Sequence, residues 1–390
     1  MAVTTTIIKS PAELSFAGNP IIYQVRTNKS LANGESFLRI LCRFTLSLNG
    51  SVDWYQGSMN FSDELSQPVE DYGTATFNLS DVSHTLISRV QSSIDMNGGA
   101  PMPAYGLILN VSFKVVWILE NHEVEEGGAD SMIYIVPGKL TDYEQLTMDD
   151  IYLLSLSENG VAMTRKPDGG ILYKGETLII PTLYGYFDKS NPGMLDENVS
   201  NYSLSVNGEI VSNGSAVISS NELDYQVVSA PDVTKEGGFV FSSNLTRSFN
   251  GYYRTNTSDV HFLRFINGFG AVENISVRSK SKLSYEVSGD THSLVQGISV
   301  RPSDRRYATK SQPVGVYELS SGYVPKRWAE WYVQELLTSP RVWIQVGEKW
   351  IPALIEAEDE CVIYDRSKPE MPHVDFTLRL AIDGVTGVVW

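Results

Sequence analysis

Residues that could carry out catalysis or bind a metal are spread thinly along this sequence. The histidines are dispersed, and none stands at zinc-binding spacing from a second histidine or from either cysteine: His84, His122, His261, His292 and His373. The sequence also lacks a nucleophile elbow, a phosphate-binding loop and a dinucleotide fingerprint. These residue types therefore predict a protein that is not an enzyme, with no catalytic residues, no metal site and no cofactor.

Paired carboxylates are the other residues in this sequence that could catalyse a reaction. Two acidic groups that flank a glycosidic bond can hydrolyse it when they are roughly 5 to 10 Å apart. Such pairs could be assembled from Asp142, Asp149 and Asp150, or from the acidic residues between Glu356 and Glu360, but sequence spacing does not report a distance in space. Surface acidity explains these residues more simply, and a glycan hydrolase is the least favoured function.

The charge distribution indicates which partners the protein prefers. The formal net charge of -16 repels the phosphate backbone, and we expect no nucleic-acid partner. Residues 247–327 differ, because they contain 12 basic and 6 acidic residues. Arg301, Arg305, Arg306 and Lys310 lie close together in this segment. We predict that these four residues form an interface with an acidic face of another copy, and a solvated loop is the plainer alternative.

The apolar content predicts a globular protein that does not enter a membrane. Hydrophobic residues make up 42% of the chain, yet no run of 18 apolar residues occurs, and so no membrane insertion is expected. The first residues have neither a basic region nor an apolar core with a cleavage site. This pattern predicts synthesis in the cytoplasm without export.

Alternation of apolar and polar residues at a period of two is the strongest structural signal, and it is typical of β-strands. Three long runs show it, at residues 38–48, 105–119 and 374–382. We expect the even face of the first run and the odd face of the second to be buried in one core. The second run is longer than a usual strand and is expected to bend or to project beyond its sheet. Shorter strand candidates occur at residues 21–26, 73–79, 202–206, 260–266, 342–346 and 350–356.

Two segments have helical periodicity. The first follows Ser80 and Asp81, which are suited to capping a helix. The second begins at Pro325 and ends before Ser339, and apolar residues cover most of its surface. A helix of that kind is buried, either in its own domain or against another subunit. Trp328 and Trp331 on this helix are predicted interface residues.

The fold class that follows is mainly β, with two or three β-sandwich or barrel-like domains and two short helices. A chain of 390 residues exceeds what one core usually organises. Turn-rich stretches divide it into an N-terminal β domain with one helix, a middle β region and a C-terminal β domain with one helix: residues 1–137, 138–232 and 233–390.

Three passages together resemble tail-tip and baseplate proteins of phages and prophages from Bacteroides-type bacteria. PAELSFAGNPIIYQV (residues 11–25) resembles their opening strand, and FLRFINGFGAVENISV (262–277) is similar to their aromatic strand, turn and strand. Residues 331–381 resemble their C-terminal helix and the paired strands that follow it. The resemblance implies a distal-tail-like part, made of β-sandwich or barrel domains, that forms a closed homo-oligomer.

The expected function is therefore that of a structural component of a bacteriophage tail tip or baseplate. The expected oligomer is ring-like and connects the tail tube to receptor-binding parts, and its partners are other copies and other virion proteins. The expected location is the tail of the virion. The alternative is a carbohydrate-binding or adhesive surface module with a host surface glycan as its partner, because two aromatic clusters could stack on sugars: Tyr184, Tyr186 and Phe187, and Tyr252 and Tyr253.

Overall fold

The computed structural model describes the chain at residues 5–11, 14–27, 37–52, 55–68, 74–92, 96, 108–119, 124–127, 132–142, 144, 161–184, 197–219, 222–230, 233–286, 291–293, 306–308, 314–357 and 372–381. Over these residues the protein is mainly β with two short helices, which confirms the predicted fold class. Neither helix is long and apolar enough to span a bilayer.

The N-terminal unit contains two sheets and helix α1 (Ser80–Ser92). One sheet has the strand order β1-β3-β6; the other has the order β2-β9-β7-β4-β5, with β8 paired to β7. The strands are β1 (Thr5–Lys9), β2 (Leu14–Phe16), β3 (Ile22–Thr27), β4 (Phe37–Val52), β5 (Tyr55–Gln67), β6 (Thr74–Asn78), β7 (Ile108–Leu119), β8 (Val124–Gly127) and β9 (Met132–Val136).

The first two alternating runs pair with each other. Strand β4 is antiparallel to β7, with Cys42 opposite Val115 and Leu46 opposite Val111. Even positions of β4 therefore share a sheet face with odd positions of β7, in the phase that the alternation predicts. Val115 is buried. The other apolar side chains of these two runs are outside the described part of the structure, so their predicted burial stays a prediction.

Strand β5 pairs with β4 along a long hairpin, from Ile40 opposite Gln67 to Val52 opposite Tyr55. On its other side β4 pairs with β7, from Phe37 opposite Leu119 to Asn49 opposite Ile108. The bend or projection expected for the run at residues 105–119 stays a prediction, because residues 105–107 lie outside the described part.

Helix α1 begins where the sequence predicts, at Ser80. Asn78 Oδ1 accepts hydrogen bonds from the backbone N–H groups of Ser80 (3.1 Å) and Ile21 (3.0 Å). Asn78 thus satisfies one free N–H at the start of the helix and links the helix to the residue before strand β3. Leu86 and Ile87 are buried on the inner face of the helix.

The second unit is a sandwich of two sheets. A three-stranded sheet has the order β10-β12-β15, and a five-stranded sheet has the order β11-β17-β16-β13-β14. The strands are β10 (Val161–Ala162), β11 (Gly170–Tyr173), β12 (Thr177–Tyr184), β13 (Glu197–Val206), β14 (Glu209–Ser219), β15 (Glu222–Ser229), β16 (Gly237–Ser243) and β17 (Phe249–Arg254). Because β16 and β17 pair within this sheet, the sandwich continues across the boundary predicted after residue 232.

Strand β12 is buried on both faces. Leu178 and Ile180 pack in the core between the two sheets of the sandwich, whereas Ile179 and Leu183 pack in an apolar cluster that contains residues of all three units. A strand covered on both sides needs apolar residues at consecutive positions, as in the sequence TLIIPTLY. This cluster therefore gives the three units a shared apolar contact.

The third unit is a closed six-stranded barrel with the order β18-β19-β22-β25-β24-β23, accompanied by the short pair β20-β21. Helix α2 (Lys326–Trp331) continues as a π-helical turn at Tyr332–Leu336. Alternate residues of β25 are buried, as predicted. The strands are β18 (Val260–Ile266), β19 (Val272–Glu286), β20 (Thr291–Ser293), β21 (Arg306–Ala308), β22 (Val314–Ser320), β23 (Val342–Val346), β24 (Lys349–Glu356) and β25 (Asp375–Leu380).

Candidate functional site

The turn between β18 and β19 is organised by one buried amide. Asn267 Oδ1 accepts hydrogen bonds from the N–H groups of Phe269 (3.0 Å) and Ala271 (2.9 Å) within the turn. Its Nδ2 donates to the carbonyl oxygen of Met163 (2.8 Å) and to Glu273 Oε1 (2.9 Å). The side chain thus fixes the turn and joins the barrel to the sandwich.

The same turn lies against the N-terminal unit. The N–H of Lys139 donates to the carbonyl oxygen of Gly268 (2.7 Å), and the rings of Phe16 and Phe269 are 5.9 Å apart. Gly138 has a φ of +90°, and a Cβ there would lie 2.3 Å from backbone carbons of Phe269. Only glycine allows this approach. All three units therefore meet at this turn.

Gly138→Ala is expected to lower the free energy of unfolding by about 1–3 kcal/mol more than Gly208→Ala, because the added methyl group overpacks the contact with Phe269. Gly208 is a matched control, since its φ is +82° and a Cβ there would meet nothing within 4 Å. Urea unfolding of the two variants provides the comparison. Equal losses would mean that the close approach at Gly138 does not constrain the fold.

Arg165 is the central charge of this meeting point, which we call the junction. The junction consists of the turn at residues 267–271 together with Lys139, Glu144, Arg165 and Glu335. Its guanidinium binds both carboxylate oxygens of Glu144, at 2.6 Å from Nε and 2.7 Å from Nη2, and its Nη1 lies 2.6 Å from Glu335 Oε1. Nη2 also donates to the carbonyl oxygen of Lys139, and the guanidinium stacks on the Phe269 ring at 4.0 Å. One side chain therefore contacts all three units, with bidentate geometry toward one carboxylate.

The two carboxylates that bind Arg165, those of Glu144 and Glu335, have different surroundings. Burial raises the pKa of Glu144, but the hydrogen bonds from Arg165 and Thr141 outweigh it and hold this pKa below its usual value. Glu335 is buried, and its second oxygen accepts the N–H of Gly268. Both acids therefore have stabilising partners inside the junction.

A π-helical turn carries Glu335. The N–H of Leu337 donates to the carbonyl oxygen of Tyr332 (3.0 Å), which is the five-residue spacing of a π-turn. Such turns are rare and occur where side-chain placement is specialised. The sequence predicts the helix but contains no signal for this acid, which lies among apolar residues.

A second buried polar cluster lies between the sandwich and β19. Glu176 Oε2 accepts the N–H of Tyr173 (3.0 Å), and its Oε1 accepts a hydrogen bond from Asn274 Nδ2 (3.0 Å). Asn274 Oδ1 accepts the N–H of Ile179 (2.9 Å), and Lys166 Nζ donates to the carbonyl oxygen of Asn274 (2.8 Å). The cluster fastens the barrel to both sheets of the sandwich.

Burial is the largest influence on the pKa of Glu176 in this cluster and of Glu273, the residue next to Asn274. It raises the pKa of Glu176, and it raises the pKa of Glu273 to about 7, although the positive charge of Lys166 acts in the opposite direction on both. The neutral form of Glu273 is therefore stabilised relative to its charged form in the folded protein.

We expect stability to depend on pH through Glu273. Its folded pKa of about 7 lies above the usual 4.5, so the stability from the neutral acid is full below pH 4.5 and is lost as the pH rises through 7. The loss can reach about 3 kcal/mol. Urea unfolding between pH 4.5 and 8 checks this: the decline should be smaller in Glu273→Gln than in the natural protein. Parallel curves would contradict the assignment.

A small cleft of about 80 Å³ opens beside this cluster, between β11, β19 and helix α2. Arg278 Nε donates to the Tyr173 hydroxyl (3.2 Å) along one wall. Trp328 forms another wall, and its Nε1 donates to the carbonyl oxygen of Asp168 (2.9 Å). Tyr323 lines the cleft and is largely exposed. The cleft has the size of a few water molecules or one small polar group.

The predicted interface residues are placed as follows. Trp328 and Trp331 are buried inside the chain, with rings 5.3 Å apart, so the interface that they form joins helix α2 to the chain's own units. Of the two alternatives predicted for this helix, burial within its own chain is the one observed, and neither ring is accessible to a second subunit. Arg301, Arg305 and Lys310 lie outside the described residues. For Arg306 the backbone is described, opposite Ser293, and its predicted contact remains a prediction.

Comparisons with known proteins identify no family. No protein-family model matches the chain, and no curated protein matches it. Three structural similarities are to trypsin-activated α2-macroglobulin from Escherichia coli, methylamine-reacted α2-macroglobulin from Salmonella and the extracellular region of plexin A4. The identities are 10%, 9% and 10%, and the TM-scores are 0.24, 0.23 and 0.19. The matches cover 96%, 83% and 99% of this chain, but only 21%, 25% and 34% of those chains. At these scores the similarities carry no argument about fold or function.

Proposed function

We propose that this chain is a non-enzymatic structural subunit of a bacteriophage tail tip or baseplate. In this proposal it forms a ring-like homo-oligomer that connects the tail tube to receptor-binding parts. The proposal rests on the junction at Arg165, where three β units are fastened together by side chains from each of them.

The passages that resemble tail-tip proteins support this proposal because all of them contribute to the junction. Residues 11–25 supply Phe16, residues 262–277 supply Asn267 and Phe269, and residues 331–381 supply Glu335. Parts of the sequence that are far apart thus converge on one internal contact. Such convergence is expected for a scaffold whose domains must keep a fixed arrangement within an assembly.

The hydrogen bonds made by the carboxylates of the junction also favour a structural role. Glu335 and Glu144 both bind Arg165, Glu335 also accepts the N–H of Gly268, and Glu144 also accepts the N–H of Thr141. A general acid or base must face a substrate within hydrogen-bond distance. The described acids of the junction instead face groups of the chain itself, where they stabilise contacts between units.

Purified virions from a host that encodes this chain test the proposal. An antibody against the chain should label one end of the tail in electron micrographs, and mass spectrometry should find the chain among the virion proteins. An antibody against the major capsid protein is the control for particle integrity. Labelling of capsids, or absence of the chain from intact particles, would overturn the proposal.

A further inference from the structure

The five-stranded sheet of the sandwich has an uncharged outer face. Its inner face packs in the sandwich core through residues such as Leu204, Phe241 and Tyr253. The five strands contain only three charged residues, Glu197, Glu209 and Arg254, and each is the first or last residue of its strand. Charged residues make up 19% of the whole chain. The centre of the outer face is therefore depleted of charge.

Exposed apolar side chains are concentrated on the same face. Nine large hydrophobic residues are exposed in the part of the chain that the structure describes, and six of them belong to these strands: Ile171, Val199, Ile210, Val217, Val240 and Tyr252. Ile171 lies opposite Tyr252, and Val199 lies opposite Val217. Val240 and Ile210 both lie opposite Ser205, one on each side of it. Single exposed apolar residues are ordinary, but their concentration on one sheet face marks a candidate contact surface.

The border of the face is charged. Glu236 precedes β16, and Arg247 lies between β16 and β17, where its Nη1 is 3.8 Å from Asp168 Oδ2. Arg254 ends β17 beside the Tyr252 ring. The depletion of charge at the centre, with charged residues at the border, is a feature that this face shares with protein–protein interfaces.

We infer that this outer face is where a second copy of the chain packs, an inference that rests on the homo-oligomer in the proposed function. Two copies with a net charge of -16 each repel one another. The uncharged face lets them meet without placing like charges close together at the contact. In a ring, the outer face of one copy packs on a different surface of the next copy, because rings are built from heterologous contacts.

The area of the face sets the expected strength of association. Five strands about 4.8 Å apart, with an average of about four outward residues, cover about 600 Å². Burial of this face against an equal area of the next copy covers about 1,200 Å² in total, which is the lower limit of stable, specific interfaces. Association through this face should therefore depend on concentration.

Sedimentation velocity over a range of concentrations tests the inference with Val240→Lys and Ser242→Lys. Both residues are exposed on β16, the central strand of the sheet. An added lysine lowers the net negative charge and so weakens general repulsion, but it places an unpaired charge inside the proposed contact. The dissociation constant should rise about 100-fold or more in each variant.

Leu354→Lys is the matched control, because Leu354 is exposed on β24 of the barrel and the charge change is the same. The inference is supported if the natural protein and this control associate and both β16 variants do not, with thermal midpoints unchanged. If Val240→Lys lowers the midpoint, Ser242→Lys decides. Undiminished association of folded β16 variants would overturn the inference and leave the proposed function intact. A natural protein that is monomeric at every concentration would overturn both the inference and the proposed homo-oligomer.

Discussion

Arg165→Met is expected to lower the free energy of unfolding by about 3–5 kcal/mol, because it leaves two carboxylates of the junction without their cation. Glu335 is affected most, since its side chain is only 2% exposed and its first oxygen lies 2.6 Å from Arg165 Nη1. The three units should also uncouple, because Arg165 is bonded to groups of each. Urea unfolding followed by circular dichroism should show a lower midpoint and a transition in more than one step.

Arg247→Met is the control for this experiment. Arg247 and Asp168 form an ion pair at 3.8 Å with both side chains about half exposed, and such pairs contribute no more than about 1 kcal/mol. A second check is Glu335→Gln in the Arg165→Met background, which should recover part of the loss by removing the buried charge. Similar midpoints for Arg165→Met and Arg247→Met would refute a central role for the junction.

Trp328→Ala should cost about 3–5 kcal/mol, as expected for the loss of a large buried aromatic side chain. Its ring packs against Trp331 at 5.3 Å and Tyr332 at 6.4 Å, and its Nε1 donates to the carbonyl oxygen of Asp168. A Cβ on Gly170 would lie 2.4 Å from the ring, so the indole closely covers strand β11. The substitution should leave a cavity where helix α2 meets the sandwich.

Tyr323→Ala is the comparison for Trp328→Ala. Tyr323 lines the same cleft but is 69% exposed, and removing it should change stability by about 0.5 kcal/mol or less. Thermal melts and urea midpoints of both variants provide the measurement. If Trp328→Ala unfolded at the same midpoint as Tyr323→Ala, the packing of α2 against the sandwich would not stabilise the fold.

The mainly β fold could be predicted because alternation reports directly which side of a strand is buried. The residues of β25 show this, since Phe376, Leu378 and Leu380 are buried in the predicted phase. Strand β14 was not predicted. It lies at the edge of its sheet, and its sequence EIVSNGSAVIS mixes small polar and apolar residues on both faces, so no alternation marks it.

The junction could not be predicted from sequence, because its members are far apart along the chain. Arg165 and Glu335 are separated by 170 positions, and no local pattern links them. The turn at Asn267 was noticed only through its resemblance to tail-tip proteins. The buried tryptophans were recognised as contact residues, but periodicity reports burial and does not name the surface that covers them.

Native mass spectrometry of the purified chain tests the proposed assembly most directly. The account predicts one dominant species at micromolar concentration whose mass is an integer multiple of 43.2 kDa, as for a closed ring of identical copies. A mass of 43.2 kDa at every concentration, or an open ladder of sizes with no preferred multiple, would contradict it.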